Sequence, residues 1–217
     1  MFTGLRNACS VNGVGISPLN SRLDSCIREK DRYKGRIGTW NVVTLTGKSR
    51  ESVEVLKRRK VNICCVQETK WKRDKWREIG EGYKIIYSGK SSTKNDVGII
   101  MDEEMKSKVV EVTRNSDRII VVKLIFEKKV LNVISAYVQQ VGCDEIDKEV
   151  FWREMDEVMQ GCPDNENAMI GGDMNGHVGN ERRGYERVHE GYGFSGKNEA
   201  GKRILDFAVS YDLAMKF

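Results

Sequence analysis

Short apolar runs, separated by polar segments, recur along most of the chain and predict its secondary structure. Runs of this kind, rich in β-branched residues, are typical of strands. They occupy residues 36–45, 61–67, 83–89, 97–102, 106–114, 118–126, 130–138 and 168–173. Other segments repeat their apolar residues at helical spacing instead. These predicted helices lie in residues 46–60, 147–162 and 198–213, with Ser49 and Asn198 as expected N-caps.

The order of these elements predicts the fold class. Residues 83–89 and 97–102 read as one antiparallel pair, and residues 118–126 and 130–138 read as a hairpin. Other strands alternate with helices, as in sheets with parallel strands. Hairpins and crossovers together favour a mixed α/β sandwich over a purely parallel sheet.

Residues 1–35 differ from the rest of the chain. Their apolar residues repeat with neither the helical nor the strand period, and they contain Pro18 among scattered Gly, Ser and Asn residues. We therefore predict a flexible leader over 1–35, to which we assign no function, and one domain over 36–217.

Composition narrows the class of protein. The chain has 217 residues, of which 39% are hydrophobic and 32% charged, as expected for a globular domain. No stretch approaches the roughly 18 apolar residues of a membrane span, and the N-terminus has no apolar signal sequence, so secretion is not expected. The six cysteines form no CxxC pair and predict reduced, buried thiols. The leader carries +3 of the net charge of +5, so charge is weak support for a nucleic-acid partner.

Polar residues stand at or near the ends of four predicted strands. They are Asn41 in "GTWN", Glu68 in "CVQETKW", Tyr137 in "ISAYV", and Asp173 and Asn175 in "GGDMN". Strand ends are where α/β folds build their sites, and carboxylate and amide oxygens suit Mg²⁺ or Mn²⁺. Any one of these residues alone is typical of a cap or a turn. The ordered set predicts a site.

These motifs resemble the endonuclease/exonuclease/phosphatase superfamily, which includes DNase I and the apurinic endonucleases. Over 36–217, segments such as "VNICCVQETKW" and "IGGDMNGHVG" look like the endonuclease domain of RTE/BovB-class non-LTR retrotransposons, and like host proteins that contain such a domain. The resemblance implies a DNase I-like four-layer α/β sandwich. It also implies Mg²⁺- or Mn²⁺-dependent hydrolysis of DNA phosphodiesters, without a small-molecule cofactor or a membrane.

The resemblance also implies roles for the five residues. Glu68 would ligate the metal, and Asn41 would help to hold Glu68 or the metal. Asp173 would align the attacking water, Asn175 would contact the scissile phosphate, and Tyr137 would hydrogen-bond to it. DNA as the substrate points to the nucleus, with the cytoplasm as the alternative.

Other residues have two readings each. Asn198 and Arg118 are either phosphate contacts or, respectively, a helix cap and a surface charge. His177 could be a general base, but in the family the base is a later histidine, so we expect His177 to shape its loop. His189, in a polar loop, is a weaker candidate still.

A cluster of tryptophan and basic residues follows Glu68. It is either a contact surface for a nucleic-acid backbone or the solvated basic start of a helix. Its members are Trp71, Trp76, Lys70, Lys72, Arg73 and Lys75.

The chain departs from the family pattern in ways that bear on activity. The pattern continues with strands that carry "DYI"-like and "SDH" motifs, which this sequence does not contain. We therefore expect the second sheet to lack its last strands and nicking to be weak or absent, the alternative being a non-catalytic retroelement-derived domain that binds DNA or protein. A lipid or inositol phosphatase is disfavoured by the motifs.

Two further departures concern turn residues. Gln139 replaces a usual proline, and Asp96 replaces a usual glycine. Each is expected to cost about 1 kcal/mol if the backbone needs the shape that the usual residue provides.

Overall fold

The computed structural model describes residues 15–18, 35–72, 74–89, 96–127, 129–138, 145–193 and 196–216. In these ranges the strands are β1 (Gly15–Pro18), β2 (Ile37–Asn41), β3 (Ile63–Gln67), β4 (Lys75–Gly80), β5 (Tyr83–Ser88), β6 (Val97–Met101), β7 (Val109–Arg114), β8 (Ile119–Phe126), β9 (Lys129–Tyr137), β10 (Asn167–Asp173) and β11 (Leu213–Lys216). The helices are α1 (Ser49–Arg58), α2 (Glu103–Lys106), α3 (Glu145–Gln160) and α4 (Glu199–Ser210).

The strands form two sheets. Sheet A has the order β11-β1-β10-β9-β8-β7, and sheet B has the order β2-β3-β6-β5-β4. The pairs β2–β3 and β9–β10 are parallel, and α1 and α3 make the crossover connections that parallel strands require. The predicted hairpin β8–β9 and the predicted antiparallel pair β5–β6 are both present.

Three apolar clusters show how the layers stack. One cluster lies between the sheets and includes Ile99 of sheet B and Val133 of sheet A. A second packs α3 and α4 on the outer face of sheet A, and a third packs α1 on the outer face of sheet B. The order helix, sheet, sheet, helix confirms the predicted four-layer α/β sandwich.

The helix predictions hold, with one correction at an N-cap. α4 begins after Asn198, whose side chain accepts a hydrogen bond from the N–H of Gly201 at 2.8 Å, as predicted. α1 begins at Ser49 itself, so the cap position belongs to Lys48, which makes no side-chain capping bond. The apolar side of α1 is stabilised instead by the burial of Val53 and Leu56.

Several elements were not predicted from the sequence. β4 is an edge strand in the segment for which the start of a helix was one interpretation. Its charged residues do not alternate with apolar ones, so the sequence lacks the two-residue repeat that is typical of strands. β11 and the single turn α2 are also additional. Within the predicted leader, the described residues 15–18 form β1, which pairs antiparallel with both β10 and β11.

The two unusual turn residues have different outcomes. Asp96 does not have a positive φ, so its position does not need the conformational freedom of glycine and the predicted backbone cost does not arise. Gln139 and Arg73 lie outside the described residues. In the described ranges, no helix combines the length and the apolar character needed to cross a membrane.

Candidate active site

The five candidate residues meet at one edge of the sandwich. Asn41 is the last residue of β2 and pairs with Gln67, directly before Glu68. Asp173 ends β10 and pairs with Tyr137, the last residue of β9. In both pairs the strands run parallel, so their C-terminal ends lie side by side. Because β10 also packs against β2 and β3, the strand ends of the two sheets adjoin each other.

Asn41 links the two sheets at this edge. Its Nδ2 donates to Oε1 of Glu68 at 2.8 Å and to Oδ2 of Asp173 at 3.1 Å. Its Oδ1 accepts from the backbone N–H of Val43 at 3.1 Å, which fixes the orientation of the amide. A single neutral side chain therefore holds two carboxylates within reach of one small ion or water.

Tyr137 and Asn175 complete the arrangement. The Tyr137 hydroxyl donates to Oε1 of Glu68 at 2.8 Å, the same oxygen that Asn41 contacts. The Asn175 N–H donates to Oδ1 of Asp173 at 3.2 Å, and its Nδ2 donates to the carbonyl of Val138 at 2.6 Å. In this state Tyr137 and Asn175 orient other groups of the site. The phosphate contacts implied by the resemblance remain predictions.

The backbone turns sharply just after the strands end. Glu68 has φ = 58° and Asn175 has φ = 48°, both in the left-handed region. Val43, which bonds to Asn41, has φ = 61°, although β-branched residues rarely adopt this conformation. Strained residues of this kind persist where the surrounding structure fixes them, and they cluster at functional sites.

A buried polar network beneath the site was not predicted from the sequence. Nε2 of Gln67 donates to Oγ1 of Thr39 at 3.2 Å and to Oγ of Ser135 at 3.4 Å, which joins β2, β3 and β9. Ser135 in turn donates to the carbonyl of Val66 at 3.4 Å. Polar residues inside otherwise apolar runs were the available signal. Their bonds fix the register of the strands that carry Asn41, Glu68 and Tyr137.

Glycine lets the two sheets approach each other beside the site. A Cβ placed on Gly171 of β10 would lie 2.8 Å from both Cβ and Sγ of Cys65 in β3. Side-chain carbons do not approach so closely, so a larger residue would push the sheets apart. Gly171 thereby allows Asp173 to reach the amide of Asn41.

The site brings together two carboxyl groups, of which that of Asp173 is buried. Asp173 is only 6% exposed, and burial raises the pKa of its carboxyl above the ordinary value, while the bonds from Asn41 and the N–H of Asn175 lower the pKa and the charge of Glu68 raises it. Neither Glu68 nor Asp173 takes part in the ion pairs of the described residues.

The donor set fits Mg²⁺, which binds one or two carboxylates and keeps several waters. No cluster of three or more His, Cys, Asp or Glu residues that could form a fuller metal cage occurs in the part of the chain that the structure describes.

The secondary candidates take structural positions. Oδ1 of Asn198 accepts from the N–H groups of His177 and Gly201, at 3.0 and 2.8 Å, so this helix cap also anchors the loop after β10. The side chain of His177 is exposed, in keeping with the expected role in shaping the loop. His189 is buried, with Nε2 2.9 Å from the carbonyl of Gly179.

Arg118 is buried and not a surface charge, so that alternative reading is wrong. Its guanidinium donates to the carbonyl of Asp147 at 3.2 Å and lies over the ring of Phe151 at 5.8 Å. The carbonyl of Arg118 accepts from the N–H of Tyr137 at 3.0 Å, which places Arg118 beside the site.

The two tryptophans after Glu68 have different environments. Trp71 is half-buried and packs edge-on against Tyr87, with ring centroids 5.3 Å apart. Trp76 lies on the edge strand β4 and is 62% exposed. The segment is not the start of a helix, and only Trp76 offers an open ring surface.

Solved structures of nucleases share this fold. The endonuclease domain of TRAS1, a telomere-specific non-LTR retrotransposon, superposes with a TM-score of 0.53 at 14% identity, over 77% of this chain and 68% of that one. An AP endonuclease from Archaeoglobus fulgidus superposes with a TM-score of 0.54 at 23% identity, over 79% of this chain and 70% of that one. The chain has the DNase I-like fold.

Two curated relatives of this chain are consistent with the resemblance seen in its sequence. Craniofacial development protein 2 of Bos taurus is 26% identical over 198 residues, which are 90% of this chain and 32% of the relative. The protein of the same name from Tragulus javanicus is 26% identical over 196 residues, which are 89% of this chain and 33% of the relative. The chain therefore spans about a third of the length of these relatives. No protein-family model matches it.

Proposed function

We propose that this domain is a Mg²⁺-dependent DNA endonuclease of retrotransposon origin. The observation that carries the proposal is the bridge from Asn41 to Glu68 and Asp173, which places two carboxylates of different sheets around one small space. The DNase I-like fold supports it, because nucleases with this fold include a retrotransposon endonuclease and AP endonucleases. The retrotransposon origin rests on the sequence motifs.

In this proposal the side chains divide the work of phosphodiester hydrolysis. Glu68 holds the ion, with Asn41 and Tyr137 fixing the orientation of its carboxylate. A bound Mg²⁺ would stabilise the negative charge that develops on the leaving oxygen. Asp173 accepts a hydrogen bond from the attacking water and so aligns it with the phosphorus.

Contacts with the substrate require two of these residues to change partner. The amide of Asn175 would leave the carbonyl of Val138 to donate to the scissile phosphate. The hydroxyl of Tyr137 would likewise turn from Glu68 to a phosphate oxygen. Once they have turned, these two neutral donors would stabilise the charge of the pentavalent transition state.

The second candidate is a domain that binds DNA or protein without cleaving it. It is favoured by the environment of the two histidines, which are the side chains that most often serve as general bases. His189 is buried against the carbonyl of Gly179, and His177 is exposed on a loop held by Asn198. Neither position indicates a catalytic role, so we assign neither histidine to the removal of the proton from the attacking water.

Plasmid nicking separates the two candidates. If the domain is an enzyme, we expect slow relaxation of supercoiled DNA with Mg²⁺ and none with EDTA, because the family motifs that are missing from the sequence should leave the activity weak. We expect Glu68→Ala to reduce the rate further, by about 100-fold or more, because a metal ligand is lost. Glu54→Ala, which alters an exposed carboxylate on α1, is the matched control and should nick normally.

The other outcomes are also informative. Relaxation that persists in Glu68→Ala would contradict the proposed site and point to a contaminating nuclease. Absence of nicking by the unchanged chain, together with a gel shift of duplex DNA, would support the binding domain instead.

A further inference from the structure

The edge of sheet B at β4 joins aromatic and basic side chains on an exposed strand. Nζ of Lys84 lies 3.1 Å from the centroid of the Trp76 ring, and Trp76 is 62% exposed. Cζ of Arg77 lies 5.3 Å from the ring of Trp71. Each pair is a cation–π contact, which fixes the orientation of a ring that would otherwise move freely in solvent.

The two pairs lie on opposite faces of the strand. Side chains alternate along β4, so Lys75 and Arg77 share one face while Trp76 takes the other. Lys84 reaches Trp76 from the neighbouring strand β5, whose residue Ile86 pairs with Trp76. Lys84 covers part of the ring, and the exposure of Trp76 leaves the rest open to solvent.

The pairing of strands shows where this edge lies relative to the candidate active site. β4 is at the other edge of sheet B from β2, which carries Asn41. Trp76 pairs with Ile86, Ile86 with Ile99, and Ile99 with Cys65, three residues before Glu68. Three strand spacings amount to about 14 Å across the sheet, and the three residues from Cys65 to Glu68 add about 10 Å along it. The loop between β3 and β4 connects the two places directly, since it runs from Glu68 to Lys75.

The charge of this edge suits a polyanion. Lys75, Arg77 and Lys84 are on or beside β4, and the exposed Lys70 and Lys72 precede it. The acidic residue in this stretch of β4, Glu78, is paired with Lys106 of α2 at 3.2 Å. Asp74, just before β4, accepts hydrogen bonds from the hydroxyl of Ser88 and the N–H of Gly89. Basic residues still outnumber acidic ones here, and they lie on both faces of the strand that carries Trp76.

From this geometry we propose that the Trp76–Lys84 edge binds unpaired nucleotides of a nucleic-acid strand that flanks the cleavage site. The open face of Trp76 stacks on a base and Lys84 contacts a phosphate beside it, while Lys75 and Arg77 contact phosphates where the nucleic-acid strand passes around the edge to the opposite face of β4. A base inside a duplex is already stacked on its neighbours, so an open tryptophan face selects single-stranded segments. The proposal rests on the proposed function only in taking nucleic acid as the substrate of the adjacent site.

A protein strand is the competing occupant, because edge strands expose unpaired backbone groups. Lysines on an edge strand oppose such pairing, since burial of their charges in a joined sheet is unfavourable. The positive charge of the edge thus favours the nucleic-acid strand.

Binding of labelled oligonucleotides, measured by fluorescence anisotropy with EDTA present, tests this proposal without any need for cleavage. The probes are an oligothymidylate of 20 residues and a duplex of equal length. We expect Trp76→Ala to weaken binding of the oligothymidylate by about 5- to 100-fold, the range for loss of one base–aromatic stack. Duplex binding should change by less than about 2-fold. Trp76→Phe should restore most of the affinity, since phenylalanine keeps a stacking surface.

The matched control and the salt dependence complete the design. Val209→Ala alters an exposed apolar residue on α4 and should leave both affinities unchanged. Arg77→Ala should reduce the salt slope of oligothymidylate binding by about 0.7, as expected for one lost phosphate contact on a single strand.

Two results would overturn the proposal. One is a Trp76→Ala variant that binds oligothymidylate as well as Val209→Ala does. The other is a Trp76→Ala variant that sediments as a smaller species than the unchanged chain but binds oligothymidylate equally well. That result would make the edge a contact between copies of the chain. If plasmid nicking alone fails, the proposed enzyme is contradicted but the proposed binding surface is not, because binding is measured in EDTA and does not require cleavage.

Discussion

The candidate active site and the β4 edge belong to one sandwich but are built in opposite ways. At the site, the carboxyl ends of buried strands hold Glu68 and Asp173, and Asn41 bonds to both. At the edge, exposed side chains project from the last described strand of sheet B, and Trp76 and Arg77 make cation–π contacts with Lys84 and Trp71, respectively. The first region fixes a few atoms firmly, whereas the second offers an accessible surface.

This difference shows how one domain can separate chemistry from binding. A reacting group must be held in place, so its supporting residues are buried, hydrogen-bonded and sensitive to substitution. A binding surface tolerates change, because exposed side chains contribute little to folding. Substitutions at the candidate active site should therefore reduce the stability of the fold, whereas substitutions at the β4 edge should not.

The largest effect is expected at Gly171, next to the site. Gly171→Val places a side chain against Cys65, where a Cβ alone would lie 2.8 Å from two of its atoms. The sheets must separate, and we expect the free energy of unfolding to fall by about 3 kcal/mol, the upper part of the range for overpacked cores. Urea denaturation measures this change.

Gly196→Val is the matched control for Gly171→Val. A Cβ on Gly196 has no atom within 4 Å in the described structure, and Gly196 has no positive φ. Its unfolding free energy should stay within about 0.5 kcal/mol of the unchanged chain, as is usual for surface substitutions. Equal losses in the two variants would show that the sheets are not closely packed at Gly171.

The next effect concerns the amide that joins the two carboxylates. Asn41→Ala removes the donor from Glu68 and Asp173, and we expect a loss of about 1–3 kcal/mol in EDTA because part-buried acceptors lose their partner. Mg²⁺ should restore part of the loss, since a cation between the carboxylates replaces the donor. Thermal unfolding with EDTA and with Mg²⁺ measures both quantities.

Asn62 provides the control for Asn41→Ala. Its Nδ2 donates to Oδ2 of Asp102 at 2.6 Å, so it forms an amide–carboxylate pair away from the candidate site. Asn62→Ala should also lose stability, but Mg²⁺ should not restore it. Recovery of both variants by Mg²⁺ would argue for non-specific binding of the ion.

A smaller, pH-dependent effect is expected at Asp96, between the two regions. Burial raises the pKa of Asp96 from its ordinary 3.8 to about 6; the charge of Asp117 adds to the rise, and a bond from the N–H of Lys70 opposes it. A raised pKa means that the stability present below pH 3.8 is lost as the pH rises through about 6.

Asp96→Asn removes this pH-dependent loss. The variant should unfold at a higher temperature than the unchanged chain at pH 8, by about 2–4 °C for each 1 kcal/mol of the loss that it removes. The two curves should converge below pH 4. Asp164→Asn, which alters an exposed carboxylate, should show no such pH dependence. A constant difference between Asp96→Asn and the unchanged chain at every pH would contradict the assignment.

The strand ends and the mixed α/β class could be predicted from apolar runs, whereas the four layers were implied by the resemblance. Three buried strands end in a candidate residue: β2 in Asn41, β9 in Tyr137 and β10 in Asp173. Parallel pairing then brings these ends together. The roles of Glu68, Asp173, Asn41, Tyr137 and Asn175 as ligand, water-aligning and phosphate-binding groups remain predictions from the resemblance.

Features that depend on contacts between distant residues could not be predicted. Asn41 and Asp173 are 132 positions apart, so no local pattern shows that one amide serves both carboxylates. β4 lacks an apolar face of its own, with Ile79 as the one buried residue of the strand. Arg118 has the sequence context of a surface charge, and only the packing of α3 buries it.

The smallest effect separates the two tryptophans after Glu68. Trp76→Ala should change the free energy of unfolding by less than about 0.5 kcal/mol, because the side chain is largely exposed and supports no neighbour in the core. Trp71→Ala should cost about 2 kcal/mol or more, because its ring packs on Tyr87 and loses that contact. Urea denaturation of both variants gives the comparison. A substantial loss in Trp76→Ala would mean that the ring stabilises the edge of sheet B, and its exposure could then no longer be attributed to binding. A negligible loss would agree with the proposed role of the exposed ring as a stacking surface.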